Sequence, residues 1–171
     1  MLRFTAIFLV LLGLNPFAMS LPAPLVPDRT TPGSVCNEED NDFLEYRYEE
    51  EIPYCERNVS SGLKNSIYQH YGIPSECRKE YTIDHFYPLS LGGDNSRKNL
   101  WPEHKSIKAV RADLELDLYK KISQGKINQA RALAQIKEAK LNPDTDQIED
   151  GDYCDLSASI RIRHLSAQEL N

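Results

Sequence analysis

The segment between positions 81 and 104 contains the residues of this chain that are best suited to chemistry. Asp84 and His85 stand side by side, Asn99 follows a glycine-rich turn, and His104 lies near the start of a predicted helix. An adjacent aspartate and histidine in an extended strand point to opposite faces, so one can hold a metal ion while the other faces a nucleophilic water. This set of side chains suits metal-assisted cleavage of a phosphodiester bond.

Local patterns predict the elements that position these side chains. A short strand over Tyr81 to His85 is followed by a Gly-Gly turn at 92–93 and a returning strand at Lys98 to Trp101. Pro102 indicates the start of a helix. The apolar stripe of this helix continues until Gly125.

Further elements are predicted on both sides of this motif. Ser60 or Ser61 can cap a helix that runs to Tyr71, and another helix is predicted at 127–139. The segment at 37–56 is crowded with acidic and aromatic residues but has weak periodicity, and we interpret it as irregular or loosely helical.

The N-terminus has the pattern of a secretory signal peptide. Arg3 precedes an apolar run at 4–14, and Ala18 to Ser20 is a small-x-small cleavage candidate. The apolar run is shorter than the roughly 20 residues that a membrane span needs. We therefore expect a secreted or periplasmic protein whose mature form has no membrane anchor. The predicted organisation is a signal peptide at 1–20, an extended and acidic segment at 21–56, a central domain at 57–140 and an acidic tail at 141–171.

The cysteine count agrees with export. An even number of cysteines in an exported chain predicts two disulfides, and the sequence leaves three connectivities open. There is no C-x-x-C pair, which argues against a structural zinc site. The four cysteines are Cys36, Cys55, Cys77 and Cys154.

The charge distribution bears on the kind of substrate. The net charge is −6, which argues against a polyanion as substrate at first sight. However, the acids are concentrated in the flanking segments, and the stretch from Arg97 to Arg111 contains only Glu103 as an acid. A local patch that attracts phosphate is therefore expected beside the motif.

The ordered residues around Asp84 resemble the HNH endonuclease superfamily, whose fold is the ββα-metal finger. More closely, they are similar to small exported bacterial HNH proteins with the pattern D-H-x-x-P-L-x-L-G-G-x-N followed by N-L-W-P. This chain carries the first pattern at 84–95 and the second at 99–102. The resemblance implies an α+β fold, in which a ββα finger is supported by additional helices and stapled by disulfides.

The resemblance also implies catalytic roles. His85 would be the general base that deprotonates the attacking water. Asp84 would be a hard carboxylate ligand for a divalent ion, Mg²⁺ or alternatively Mn²⁺. Asn99 would brace the loop after the first strand and orient His85.

The second metal ligand departs from the usual motif. The position of the motif's last histidine is taken here by Lys108. His104, closer to Asn99, is therefore the expected second ligand, with Glu103 and Glu115 as rivals. Water would fill the remaining positions around Mg²⁺.

Basic side chains near the motif are the expected phosphate contacts. Alternatively, these basic side chains are ordinary solvated residues without a role in binding. His85 could likewise be a buried histidine with a structural role. Trp101 fits a core position better than a base-stacking platform. The expected phosphate contacts are Arg57, Lys105, Lys108 and Arg111.

The sequence therefore favours an exported, metal-dependent HNH-type endonuclease. It would hydrolyse phosphodiester bonds in DNA, and alternatively in RNA, with little sequence preference. One alternative is a catalytically impaired HNH-fold module that binds nucleic acid or protein. Another is a secreted competition factor whose acidic segments are docking surfaces. The sequence specifies no protein partner.

Overall fold

The computed structural model describes residues 26–145. The fold is mixed α+β, with two small antiparallel sheets and surrounding helices. No helix in this part of the chain is long and apolar enough to cross a membrane. The predicted signal peptide, most of the predicted acidic tail and Cys154 lie outside the described residues. The strands and helices are β1 (Phe43–Arg47), β2 (Ile52–Cys55), α1 (Ser61–His70), β3 (Tyr81–His85), β4 (Leu100–His104), α2 (Lys105–Ala109), α3 (Leu114–Ser123) and α4 (Gln129–Leu141).

The central ladder pairs β3 with β4 in an antiparallel register that places Asp84 opposite Trp101. The predicted strand at Tyr81 to His85 is confirmed. The returning strand begins later than predicted, because Arg97–Asn99 form a 3₁₀ turn. Pro102 lies within β4 instead of starting a helix, which a two-stranded ladder permits because both strands are edges.

The helices follow the capping signals only in part. The predicted helix after Ser60 is confirmed, with the Ser60 hydroxyl accepting a hydrogen bond from the Leu63 amide at 3.2 Å. The helix predicted to run from Pro102 to Gly125 is divided into α2 and α3 by a turn. This turn lets α2 continue from β4 while α3 packs against α4.

The interpretation of segment 37–56 as irregular or loosely helical was wrong. The segment forms the β1–β2 hairpin, with Arg47 opposite Ile52. Its turn contains no glycine, and Tyr48 and Glu51 adopt positive φ angles of 65° and 55°. Tyrosine and glutamate rarely adopt this conformation, so the sequence contains no residue here that would predict a turn.

The hairpin is part of the main core. Ile52 from β2 packs with Leu91 from the loop after β3, with Leu118 from α3 and with Ile136 from α4. The chain before the hairpin is also attached to this loop, since the Cys36 amide donates to the Gly92 carbonyl at 2.9 Å. The acidic N-terminal segment is therefore packed against the motif.

One disulfide joins Cys36 to Cys55 and ties the hairpin to the preceding chain. Of the three connectivities that the sequence left open, one contains this pair. Cys77 is disulfide-bonded as well. It packs with Ile73 and Tyr81 in a second, smaller cluster of buried side chains.

Candidate active site

A cleft of about 290 Å³ lies between the hairpin, the end of β3 and the start of α3. The hairpin contributes a basic and an aromatic wall, and β3 contributes the Asp-His pair. Helix α3 contributes a second carboxylate. The side chains with chemical potential along this cleft are Arg47, Tyr54, Arg57, Asp84, His85 and Glu115.

The imidazole of His85 is held in one orientation by Asn95. Its Nε2 lies 2.9 Å from the Asn95 side-chain oxygen. The amide nitrogen of Asn95 donates to the Glu56 carbonyl at 2.7 Å and to the Asp42 carboxylate, so its oxygen must face the ring. We infer that Nε2 carries the proton and that Nδ1, which has no hydrogen-bond partner among the described residues, carries the lone pair.

The environment of His85 favours its neutral form. The residue is only 2% exposed, and this burial lowers the pKa of His85 below its ordinary value of 6.5. The hydrogen bond that Nε2 donates to Asn95 opposes the shift, and the nearby positive charge of Arg57 adds to it. His85 is therefore available as a base at neutral pH.

Asp84 points to the other face of β3 and is neutralised by lysines. Its Oδ2 lies 3.0 Å from the Lys108 ammonium and 3.8 Å from the Lys140 ammonium. Burial raises the pKa of Asp84, but Lys140 and Lys108 outweigh burial and hold the pKa below its ordinary value. Asp84 is thus an ionised carboxylate whose charge is already paired.

Lys140 is the buried cation of the site. It is 0% exposed, and its ammonium donates to the His85 carbonyl at 2.6 Å. It also lies 3.1 Å from the Glu115 carboxylate, in addition to its contact with Asp84. Burial lowers the pKa of Lys140, while Glu115 and Asp84 oppose this shift. Lys140 therefore has two oxygens at hydrogen-bond distance, from His85 and Glu115, and Asp84 as a more distant ion-pair partner.

Asn99 braces the loop that follows β3. Its side-chain oxygen accepts from the Tyr87 amide at 2.8 Å, and its nitrogen donates to the Tyr87 carbonyl at 3.0 Å and the Asp94 carbonyl at 2.8 Å. The ring of His85 itself is hydrogen-bonded to Asn95. Gly93 is required beside Asn99, since a Cβ there would run into the Tyr87 carbonyl.

The structure does not bring His104 together with Asp84. His104 lies opposite Tyr81 in the ladder, whereas Asp84 lies opposite Trp101, so the two side chains are on opposite faces. The His104 ring caps α2 by accepting from the Ser106 amide at 3.2 Å. Among the candidate ligands named from the sequence, Glu115 is the one that shares the cleft with Asp84.

The expected phosphate contacts differ in their availability. Arg111 is paired with the buried Glu103, and Lys105 lies 3.9 Å from Glu80. Lys108 is paired with Asp84, but its side chain remains 49% exposed. Arg57 is exposed, lines the cleft and forms no ion pair within 4.0 Å in the described part of the chain.

The sequence analysis assigned no role to four residues of the site, which are Lys140, Asn95, Arg47 and Tyr54. Lys140 lies on the buried stripe of α4, four and eight residues after Ile136 and Ala132, and a lysine on such a stripe is a signal that could have found it. Asn95 belongs to the motif but was given no role. Arg47, which stacks on the Tyr54 ring at 3.2 Å, belongs to the hairpin that the sequence did not predict.

Comparisons of the chain with protein-family models, curated proteins and solved structures found no match. Any function assigned to the cleft therefore depends on its geometry and on the motif. A neutral imidazole with its lone pair on Nδ1 can accept a proton from water. The guanidinium of Arg57 beside it can hold an anionic oxygen.

Proposed function

We propose that this protein is an HNH-type endonuclease that hydrolyses phosphodiester bonds in DNA, and alternatively in RNA, with little sequence preference. The observation that carries the proposal is the arrangement of His85, whose Nε2 faces Asn95 and whose Nδ1 accepts no hydrogen bond in the described residues. Buried polar side-chain atoms normally have a hydrogen-bond partner, and an unpartnered one calls for an explanation such as a catalytic role or a bound water. A histidine that acts as a general base needs one ring nitrogen that can accept a hydrogen bond from the attacking water.

The proposed reaction is hydrolysis with His85 as the general base. Nδ1 takes a proton from a water molecule, and the resulting hydroxide oxygen forms a bond to phosphorus. The bond from phosphorus to the leaving sugar oxygen breaks, and that oxygen takes up a proton. The products are a phosphate monoester end and a sugar hydroxyl. Arg57 holds a non-bridging phosphate oxygen at the exposed side of the cleft.

The order of elements supports the finer proposal of a ββα finger. Strands β3 and β4 form an antiparallel pair, and α2 follows β4 directly. The Asp-His pair stands at the end of β3, and Asn99 ties the connecting loop. Export fits this proposal, because the disulfide between Cys36 and Cys55 is compatible with an oxidising extracellular compartment.

The donor set does not fit the metal centre that the resemblance implies. His104 is on the face opposite Asp84, and Asp84 is already paired with two ammonium groups. In residues 26–145, the group of three potential ligand atoms that does converge consists of Asp40 and the sulfurs of Cys36 and Cys55. Those sulfurs are joined in a disulfide and cannot act as thiolate ligands.

Incubation of the purified, oxidised protein with plasmid DNA and with single-stranded RNA tests the proposed function. Each substrate is incubated with Mg²⁺, with Mn²⁺ and with a chelator. Nicking or degradation under any of these conditions, lost in His85→Ala, is the expected result. Binding of nucleic acid without turnover under all of them would favour the alternative, a catalytically impaired binding module.

A further inference from the structure

We infer that this protein cleaves phosphodiester bonds without a divalent metal ion, with Lys108 and Lys140 supplying the positive charge beside Asp84. The inference rests on the proposed function and deepens it, since it concerns the same cleft. It departs from the metal dependence that the motif implies. The disagreement comes from the contacts of the residues around Asp84.

The charges around Asp84 are already balanced. Two carboxylates, Asp84 and Glu115, face two ammonium groups, Lys108 and Lys140. A hard divalent cation is attracted to a site by its excess of negative charge. Here the repulsion from two nearby ammonium groups offsets the attraction of the two carboxylates. The cluster therefore offers little net attraction for a second cation.

The two lysines differ in their freedom to move. Lys140 is fully buried, and it is fixed by the His85 carbonyl in addition to the carboxylates. If it left the cluster, Glu115 would lose the contact at 3.1 Å and the buried Asp84 would keep only Lys108. Both ammonium groups contact Oδ2 of Asp84, so an ion that approached this carboxylate would face two positive charges.

Lys108 faces solvent and can reach a substrate. Its side chain is 49% exposed, and the described contacts use one of its three N–H donors, on Asp84. The residue lines a cavity of about 300 Å³. Its ammonium group contacts Asp84, which lines the cleft that contains His85. In the reaction, an N–H of Lys108 contacts a phosphate oxygen and gives its proton to the leaving sugar oxygen. Exchange with solvent then returns a proton to Lys108 and removes one from His85.

The remaining candidate ligands are engaged elsewhere. Glu103 is paired with Arg111 in the interior, and His104 accepts a hydrogen bond from the Ser106 amide. Glu115 faces Lys140. Each of the three second ligands considered from the sequence is therefore engaged with another group of the described residues.

Chelation of the wild-type protein is the first test. After exhaustive dialysis against a chelator, plasmid cleavage should continue at an unchanged rate, and Mg²⁺ should not stimulate it. Cleavage that stops with chelator and returns with Mg²⁺ would overturn the inference while leaving the proposed function intact. Absence of cleavage under every condition would overturn both.

Calorimetric titration with Mn²⁺ provides a readout that does not depend on activity. The wild-type protein should show no saturable binding of Mn²⁺ at Asp84. The titrations of the wild type and of Asp84→Asn should therefore be the same. Saturable binding in the wild type that is lost in Asp84→Asn would overturn the inference. Tryptophan fluorescence and circular dichroism of both proteins establish that the comparison is between folded forms.

Substitution of Lys108 tests its part in the reaction. Lys108→Met should lower the cleavage rate by roughly 10²-fold, the lower range for a positioned proton donor, and added Mg²⁺ should not restore it. Lys108→Arg should recover part of the rate because it restores the charge. The exposed Lys126 provides the matched control, and Lys126→Met should cleave like the wild type. A folded Lys108→Met protein with the wild-type rate would overturn the inference.

Discussion

The ammonium nitrogen of Lys108 lies 3.0 Å from Oδ2 of Asp84, the residue that the motif would assign to a metal ion. Lys108 also stands at the chain position where the usual motif places its last histidine. The departure from the motif and the ion pair therefore involve the same residue. A lysine at this position of the motif places a positive charge beside Asp84.

The buried ion-pair cluster should make Lys140 important for stability. Lys140→Met removes the buried ammonium group that contacts Asp84 and Glu115. Because Asp84 keeps Lys108 and Glu115 is partly exposed, the cost should be about 1–3 kcal/mol, below the roughly 3–5 kcal/mol of a fully buried pair. Chemical denaturation should show this loss in the free energy of unfolding. Lys137→Met, one turn earlier on the exposed side of α4, should change it by no more than about 0.5 kcal/mol. Equal effects of the two substitutions would contradict the structural role of Lys140.

The acid side of the pH–rate profile should report His85. The base must be neutral to accept a proton, and burial lowers the pKa of His85, so the rate should fall only below its ordinary value of 6.5. Arg57→Gln removes a positive charge that lowers this pKa and should move the acid-side midpoint upward. Profiles of kcat/KM measured with a short oligonucleotide give both midpoints. A wild-type midpoint above 6.5 would argue against His85 as the base.

Arg57 should act on substrate binding. Its guanidinium is exposed at the cleft and can contact phosphate, so Arg57→Ala should raise KM by more than it lowers kcat. Arg131→Ala, an exposed arginine at the start of α4, is the matched control for net charge. Equal rises in KM for both variants would show that only overall charge matters.

The Cys36–Cys55 disulfide should stabilise the cleft as well as the fold. Its removal in a Cys36→Ser, Cys55→Ser protein should cost about 2–5 kcal/mol, the usual range for a small disulfide-bonded domain. Because the bond holds the hairpin that carries Arg47 and Tyr54, KM should also rise. Intact mass measurement of the protein purified under oxidising conditions should find no free thiols. Four free thiols there would contradict this assignment.

The sequence predicted the parts of the fold that have local signals. The cap at Ser60 and the short strand-like run that ends at His85 indicated α1 and β3. The hairpin was missed because its turn uses Tyr48 and Glu51 at positive φ, without the glycine or asparagine that would mark it. The division of the long predicted helix into α2 and α3 was missed because the apolar spacing continues across the break.

The site was predictable where its residues are neighbours in the chain. The adjacent Asp84 and His85 could be recognised directly. Lys140 comes from a helix 55 residues after His85, and its contact depends on how α4 packs. The expected pairing of Asp84 with His104 rested on proximity in the sequence, whereas the ladder register separates them by three positions and places them on opposite faces.

Single-turnover cleavage of plasmid DNA by the wild-type protein and by His85→Ala tests the central claim most directly. His85→Ala should lower the rate constant by roughly 10²-fold or more, the usual scale for a positioned general base, with an unchanged circular dichroism spectrum. His70→Ala, a half-exposed histidine on α1 that pairs with Asp28, should cleave at the wild-type rate. A folded His85→Ala protein that cleaves as fast as the wild type would contradict the account.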